Sequence, residues 1–256
     1  LQTTNATANA VQITSREGGI VDGGATHVDI VANVAGSVVT LNAATGIGHG
    51  NALETTVARL IATNSSSGNI QIAETDGIQL SAVQQTSAIG TGTIDIVSTT
   101  GLLDVLAGGA GVSTVGSGLI SLHADGGAAG NLSVNALVQS TSGAITLRAD
   151  NNVIFTANGD VNSVSGNVEV NADYDNSGAA GGLLTMADGT LINAGSGTIT
   201  LTSDGDVTLG GLQTTNATAN AVQVTSRTGG IVDGGDTDGD IVANVAGSVV
   251  TLNAAT

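Results

Sequence analysis

Residues 1–45 return almost unchanged at residues 212–256, with forty of the 45 positions identical at an offset of 211. Self-similarity at a fixed period points to a repeat architecture rather than a closed globule. The expected organisation is one complete unit, residues 1–211, followed by the start of a near-identical one, residues 212–256, cut from a longer array. The differences are Ile13/Val224, Glu17/Thr228, Ala25/Asp236, His27/Asp238 and Val28/Gly239. Four of the five lie in Gly-flanked stretches, as outward turns would allow.

Inside the unit runs a shorter period, with the word Ser/Thr-Gly-x-Ile-x-Leu. It reads Gly68-Asn-Ile70-Gln-Ile72, Gly92-Thr-Ile94-Asp-Ile96, Gly118-Leu-Ile120-Ser-Leu122, Gly143-Ala-Ile145-Thr-Leu147, Gly166-Asn-Val168-Glu-Val170 and Gly197-Thr-Ile199-Thr-Leu201. Looser versions start at Gly19-Ile20 and Ser37-Val38-Val39. With Ile20, Val39, Ile70, Ile94, Ile120, Ile145, Val168, Ile199 and Ile231 as markers, eight steps of 19 to 32 residues cover the 211-residue offset, a mean of about 26. Each word alternates apolar and polar residues, the period of a strand with one buried face. A second alternating word usually follows within the step, as in Leu132-Ser-Val134 and Val207-Thr-Leu209. Between the words sit Gly, Asn, Asp and Ser, which suit turns. The stretch most open to a helical reading, Glu54–Ala62, is rich in β-branched residues that disfavour it.

Strand-turn-strand steps that recur many times describe a coil. The expected fold is all-β, a parallel β-helix (β-solenoid) with coils of roughly 26 residues and about eight coils per 211-residue unit. At ~4.8 Å per coil, one unit rises ~38 Å. Proline, which removes a ladder donor, is absent. One Phe and one Tyr are the only aromatics, consistent with a narrow bore that bulky rings would not fit. The longest steps suggest loops near Gly46–Asn51 and Gly178–Gly182.

Charge excludes several partners. Twenty-one acidic residues face four arginines, for a net charge of −17. Nucleic acid, which wants basic patches and stacking rings, is not expected. No run approaches the ~18 apolar residues of a membrane span. Without cysteine there is no disulfide framework and no thiolate metal site.

The segments GSGTITLTSDGDVTLGG (195–211) and TSGAITLRADNNVIFTANGDV (141–161) resemble the repeats of filamentous-haemagglutinin-type proteins, giant secreted bacterial surface proteins with β-helical shafts. The resemblance implies an extracellular shaft or adhesin on the bacterial cell surface. The chain departs from that family in its 211-residue repeat and in its longer rungs.

Few residues offer chemistry. Asp236-Thr-Asp238-Gly-Asp240 and Asp173-Tyr-Asp175-Asn-Ser177-Gly178 place carboxylates at alternate positions, a spacing that can wrap Ca2+. An EF-hand would need Glu at the twelfth position from Asp173, which is Leu184. The first copy of the other motif reads Ala25-Thr-His27-Val-Asp29, without two of the carboxylates. The expectation is therefore aspartates in solvated turns, with Ca2+ at Asp236, Asp238, Asp240, Asp173 and Asp175 as the alternative. Arg148, close to Asp150 in sequence, offers an exposed ion pair. His27, His49 and His123 are scattered and read as solvated loop histidines. Thr198, Thr200 and Thr202 begin a threonine row of the kind ice-binding solenoids use, but Gln71, Asp95, Ser121 and Glu169 interrupt it.

The expected function is a structural shaft or fibre segment of a long, repetitive extracellular cell-surface protein, without catalysis or cofactor. Its expected partners are neighbouring repeats of the same chain, other copies of the filament, or cell surfaces. A surface-binding module for glycans or host cells is the first alternative, and a β-helical carbohydrate-active enzyme the second.

Overall fold

A computed structural model describes residues 1–24, 27–88, 90–177, 181–235 and 239–255. They form a parallel β-solenoid of about nine coils of roughly 25 residues, with one 3-10 turn, Gly127–Ala129. Ten strands, from Ile30–Ala32 to Val250–Asn253, stack as one column. The others make a sixteen-stranded sheet that forks at Ile78–Gln85. Beyond the fork each turn of chain crosses three columns. Column one carries Ile120–Ala124, Ile145–Ala149 and Val168–Ala172; column two Leu132–Val134, Val153–Phe155 and Leu184–Met186; column three Val138–Ser140, Val161–Ser163 and Leu191–Asn193.

The fork has a local cause. Leu60 pairs with Leu80 and Ile61 with Ala82, so Ser81 is an extra residue, a bulge that bends the strand. In the next coil Leu103–Val105 continues the first half and Gly111–Thr114 the second. The intervening turn closes on Ser81, whose carbonyl accepts from Ala110 N at 2.7 Å.

Alternation places the core. Column-one strands from Leu53–Val57 to Val222–Ser226 bury every second residue, and the inward rows Ile70, Ile94, Ile120, Ile145, Ile199 and Ile72, Ile96, Leu122, Leu147, Leu201 are at most 1 % exposed. Each such side chain contributes roughly 1.5–3 kcal/mol by leaving water. Phe155 also lies in this core, stacked between Val134 and Met186. The bore therefore admits a ring, contrary to the expectation from its narrowness. In that turn the column-one strand ends in Ala149, where other turns place Glu74 or Ser98.

The glycine of each word has a packing reason. Gly92, Gly118, Gly143, Gly166 and Gly197 occupy one corner, each pressed against the carbonyl oxygen of the glycine one coil earlier. A Cβ would overlap that oxygen at all five. Asn and Asp brace this corner and others by accepting the next coil's backbone N–H: Thr93 on Asn69, Asn152 on Asn131, Leu183 on Asn152, Thr198 on Asn167, Gly230 on Asp206. These bonds satisfy turn N–H groups that no ladder reaches.

Glu54–Ala62 is strand on either side of Ala58, within Leu53–Val57 and Arg59–Asn64. Residues 48–52 loop out between Ile47, which bridges Ile70, and Leu53, which pairs with Ile72. Of the second loop, residues 178–180 lie outside the described residues.

The two copies of the opening sequence stand on different columns. Val11–Ser15 belongs to column three and pairs with Val39–Ala43. Its second copy, Val222–Ser226, belongs to column one, between Ile199–Ser203 and Val250–Asn253. Ile20 bridges Ile47 at the head of column one, whereas Ile231 pairs with Val207 in column two. The unit thus holds about eight coils, as its word spacing predicts, plus one further column. Val39 and Ile231 are not column-mates of Ile70, so steps counted through them conceal that extra third of a turn.

Candidate functional site

The chain's rare residue types meet on column one. Register sets His123 beside Arg148, and Arg148 beside Asn171, on three successive strands, all facing out. His123 Nε2 lies 3.1 Å from Asp150 Oδ1, and Arg148 Nη2 donates to Glu169 Oε1 at 3.1 Å. Tyr174, the only tyrosine, folds over both. Its ring meets His123 edge-on at 5.2 Å, and the Arg148 guanidinium lies 4.4 Å from its centre. Arg148 does not pair with Asp150, as proximity in sequence suggested; the corner turns Asp150 toward His123. His123 is thus part of a strand and a cluster rather than a solvated loop histidine.

Below these side chains runs a ladder of like charge. Ala124 pairs with Ala149 and Ala149 with Ala172, while Asn171 pairs with Thr202. The residues that follow, Asp125, Asp150, Asp173 and Asp204, therefore turn the same corner in four successive coils. At ~4.8 Å between coils, four carboxylates make a strongly cation-attracting edge. Asp150 is 6 % exposed and satisfied by His123 and by Gly127 N at 3.2 Å. The Asp125 carboxyl is held above the usual range by desolvation, then by its hydrogen bond to Asp150 and that residue's charge. Asp173 is 1 % exposed in a left-handed conformation, and its Oδ2 is buried with no hydrogen-bond partner. Its pKa is raised by desolvation, then by the charges of Asp204 and Asp175.

Of the aspartates predicted from sequence, Asp173 and Asp175 are thus brought to this corner. The charge of Asp175 also reaches Asp125. Asp236 and Asp238 lie outside the described residues. The backbone carbonyl of Asp240 accepts from Leu212 N at 2.7 Å. Its first-copy counterpart, Asp29, meets Asp22 and Glu54, with one carboxylate oxygen of each within 4.8 Å of the others. Asn51 donates to Asp22, and Glu54 N donates to Asp29 at 3.2 Å.

His123, Asp125 and Asp150 likewise offer one ligand atom each within 4.8 Å. One imidazole and two carboxylates suit a divalent cation. His123 and Asp150 were not expected to meet, although the sequence carries a signal. Four successive column-one words end in Ala-Asp or Ser-Asp: Ala124-Asp125, Ala149-Asp150, Ala172-Asp173 and Ser203-Asp204.

A second unusual group lies inside. Glu74, 0 % exposed, accepts from Thr55 Oγ1 at 2.6 Å and from Val57 N at 3.0 Å. Burial pushes its carboxyl up to about 8. It is a structural acid held neutral in the core, away from solvent.

A depression of about 250 Å³, bounded by Leu137, Asp160, Asn162, Leu191 and Asn193, falls below the usual range of small-molecule pockets. Among the described residues no helix is long and apolar enough to cross a membrane. No protein-family model matches the chain, and neither curated proteins nor solved structures include a significant match.

Proposed function

We propose that this chain is a segment of the shaft of a long extracellular surface protein, of the kind its rungs resemble, and that its role is mechanical. The observation that supports this most is continuity. The second copy of the opening sequence adds its strands to the existing columns, with Val222 paired to Ile199 and Val250 to Val222. Parallel ladders running the length of the coil resist bending and hold a distal element at a fixed reach. A net charge of −17 on a polar skin disfavours nonspecific association.

Electron microscopy of a multi-unit array tests this reading. Straight rods of uniform width, lengthening with unit number, support it; beads or collapsed particles contradict it.

The His123–Asp150 corner favours a second reading, a side face that recognises a cation or a glycan. Binding of the chain to cells, lost in an Asp125→Asn/Asp175→Asn variant of unchanged stability, would support that reading over a purely mechanical one.

A further inference from the structure

We infer that a 211-residue unit stacked on another enters one column round from it, so that successive units of a shaft turn about its axis. This rests on the shaft reading only in joining the units in one chain. The two copies show the change. Val11 pairs with Val39 on the sixteen-stranded sheet, whereas its counterpart Val222 pairs with Ile199 on column one. Ile20 bridges Ile47 at the head of column one, whereas its counterpart Ile231 pairs with Val207 in column two.

Strand length makes the change of column possible. Column three opens with the five-residue strands Val11–Ser15 and Val39–Ala43, then narrows to three residues at Val138–Ser140, Val161–Ser163 and Leu191–Asn193. Column one is five residues wide at Ile145–Ala149, Val168–Ala172 and Ile199–Ser203. A unit that began again on column three would stack five-residue strands on three-residue ones. By entering on column one, Val222–Ser226 meets five paired residues of Ile199–Ser203. Within the strand itself the copies differ only at Ile13/Val224, so the support beneath, rather than the sequence, sets the column.

The consequence is a screw. A unit of eight turns and one column places each feature it carries once, the His123–Asp150 corner included, on successive columns. The pattern closes after three units. All sides of the shaft then present the acidic corner in turn, rather than one side presenting it in a line.

The chain contains no cysteine, so introduced pairs report stacking directly. Stacked residues of neighbouring coils, ~4.8 Å apart, fall within disulfide reach. Thr200 pairs with Gln223, so a Thr200→Cys/Gln223→Cys chain is expected to link under mild oxidation. Gln12→Cys/Thr40→Cys, on column three, is expected to link as well. Asn193→Cys/Gln223→Cys links only if the second copy sits on column three. Linkage of that pair without linkage of the 200/223 pair, or linkage of neither, overturns the inference. In a chain of two tandem units carrying Ser121→Cys, gold labels imaged by cryo-electron microscopy are expected on different faces of the rod. Labels on one face overturn the screw. A 200/223 link in a chain whose arrays form no rods would instead defeat the shaft reading and leave the change of column standing.

Discussion

Gly143 lies so close to the carbonyl oxygen of Gly118 that no side chain fits between them. Gly118 stands in the same relation to Gly92, and Gly166 to Gly143. The glycine of the repeated word is thus a spacing element that lets coils approach to ladder distance. Gly143→Ala must displace two backbones, and a loss of about 3 kcal/mol or more is expected. Gly23→Ala, with nothing within 4 Å of its added Cβ, is expected to change stability by less than about 0.5 kcal/mol. Denaturant unfolding of the two variants checks the contrast. Equal effects would mean that the coils are not in contact at this corner.

Burial raises the Glu74 carboxyl to about 8 from an ordinary value of 4.5. The folded chain therefore binds more protons than the unfolded chain between those values, and stability must fall as pH rises through that window. The contribution is fully present below about 4.5 and lost by about 8, a loss on the order of a few kcal/mol. Thermal melts at pH 5 and pH 8.5 are expected to show the wild-type chain weaker at the higher pH. Glu74→Gln should remove most of that difference. A wild-type chain equally stable at both would contradict the buried, neutral acid.

Much of this architecture was legible in the words themselves. Gly143-Ala-Ile145-Thr-Leu147 announces a strand, its buried face and the turn before it. What alternation cannot announce is the column. Val39 and Ile70 have the same local pattern, yet one stands on the sixteen-stranded sheet and the other on column one, because the strand each stacks on decides. The site was half-legible for a related reason. Asp173 and Asp175 announce themselves by alternate spacing. His123 and Asp150 lie 27 residues apart and meet only because one coil closes between them.

The Asp125–Asp150 contact gives a local test. Asp150→Asn removes a charge but keeps an acceptor for Gly127 N. The Asp125 pKa, followed by carboxyl-carbon NMR, is expected to fall toward its ordinary value while remaining above it, because desolvation is the larger cause. An unchanged value would show that the two carboxyl groups do not interact.

Phe155 is the largest fully buried side chain of the core. Phe155→Ala is expected to cost roughly 3–5 kcal/mol through the cavity it leaves, and Phe155→Leu markedly less. Unfolding free energies measure both. A near-neutral Phe155→Ala would mean that column two does not pack against the bore.

Small-angle X-ray scattering on chains with one and two complete units tests the stacked coil most directly. Each added unit is expected to lengthen the particle by roughly 40 Å, at one ladder spacing per coil, with the cross-sectional radius unchanged. Growth in all dimensions, or a flexible string of separate bodies, would contradict a single continuous solenoid.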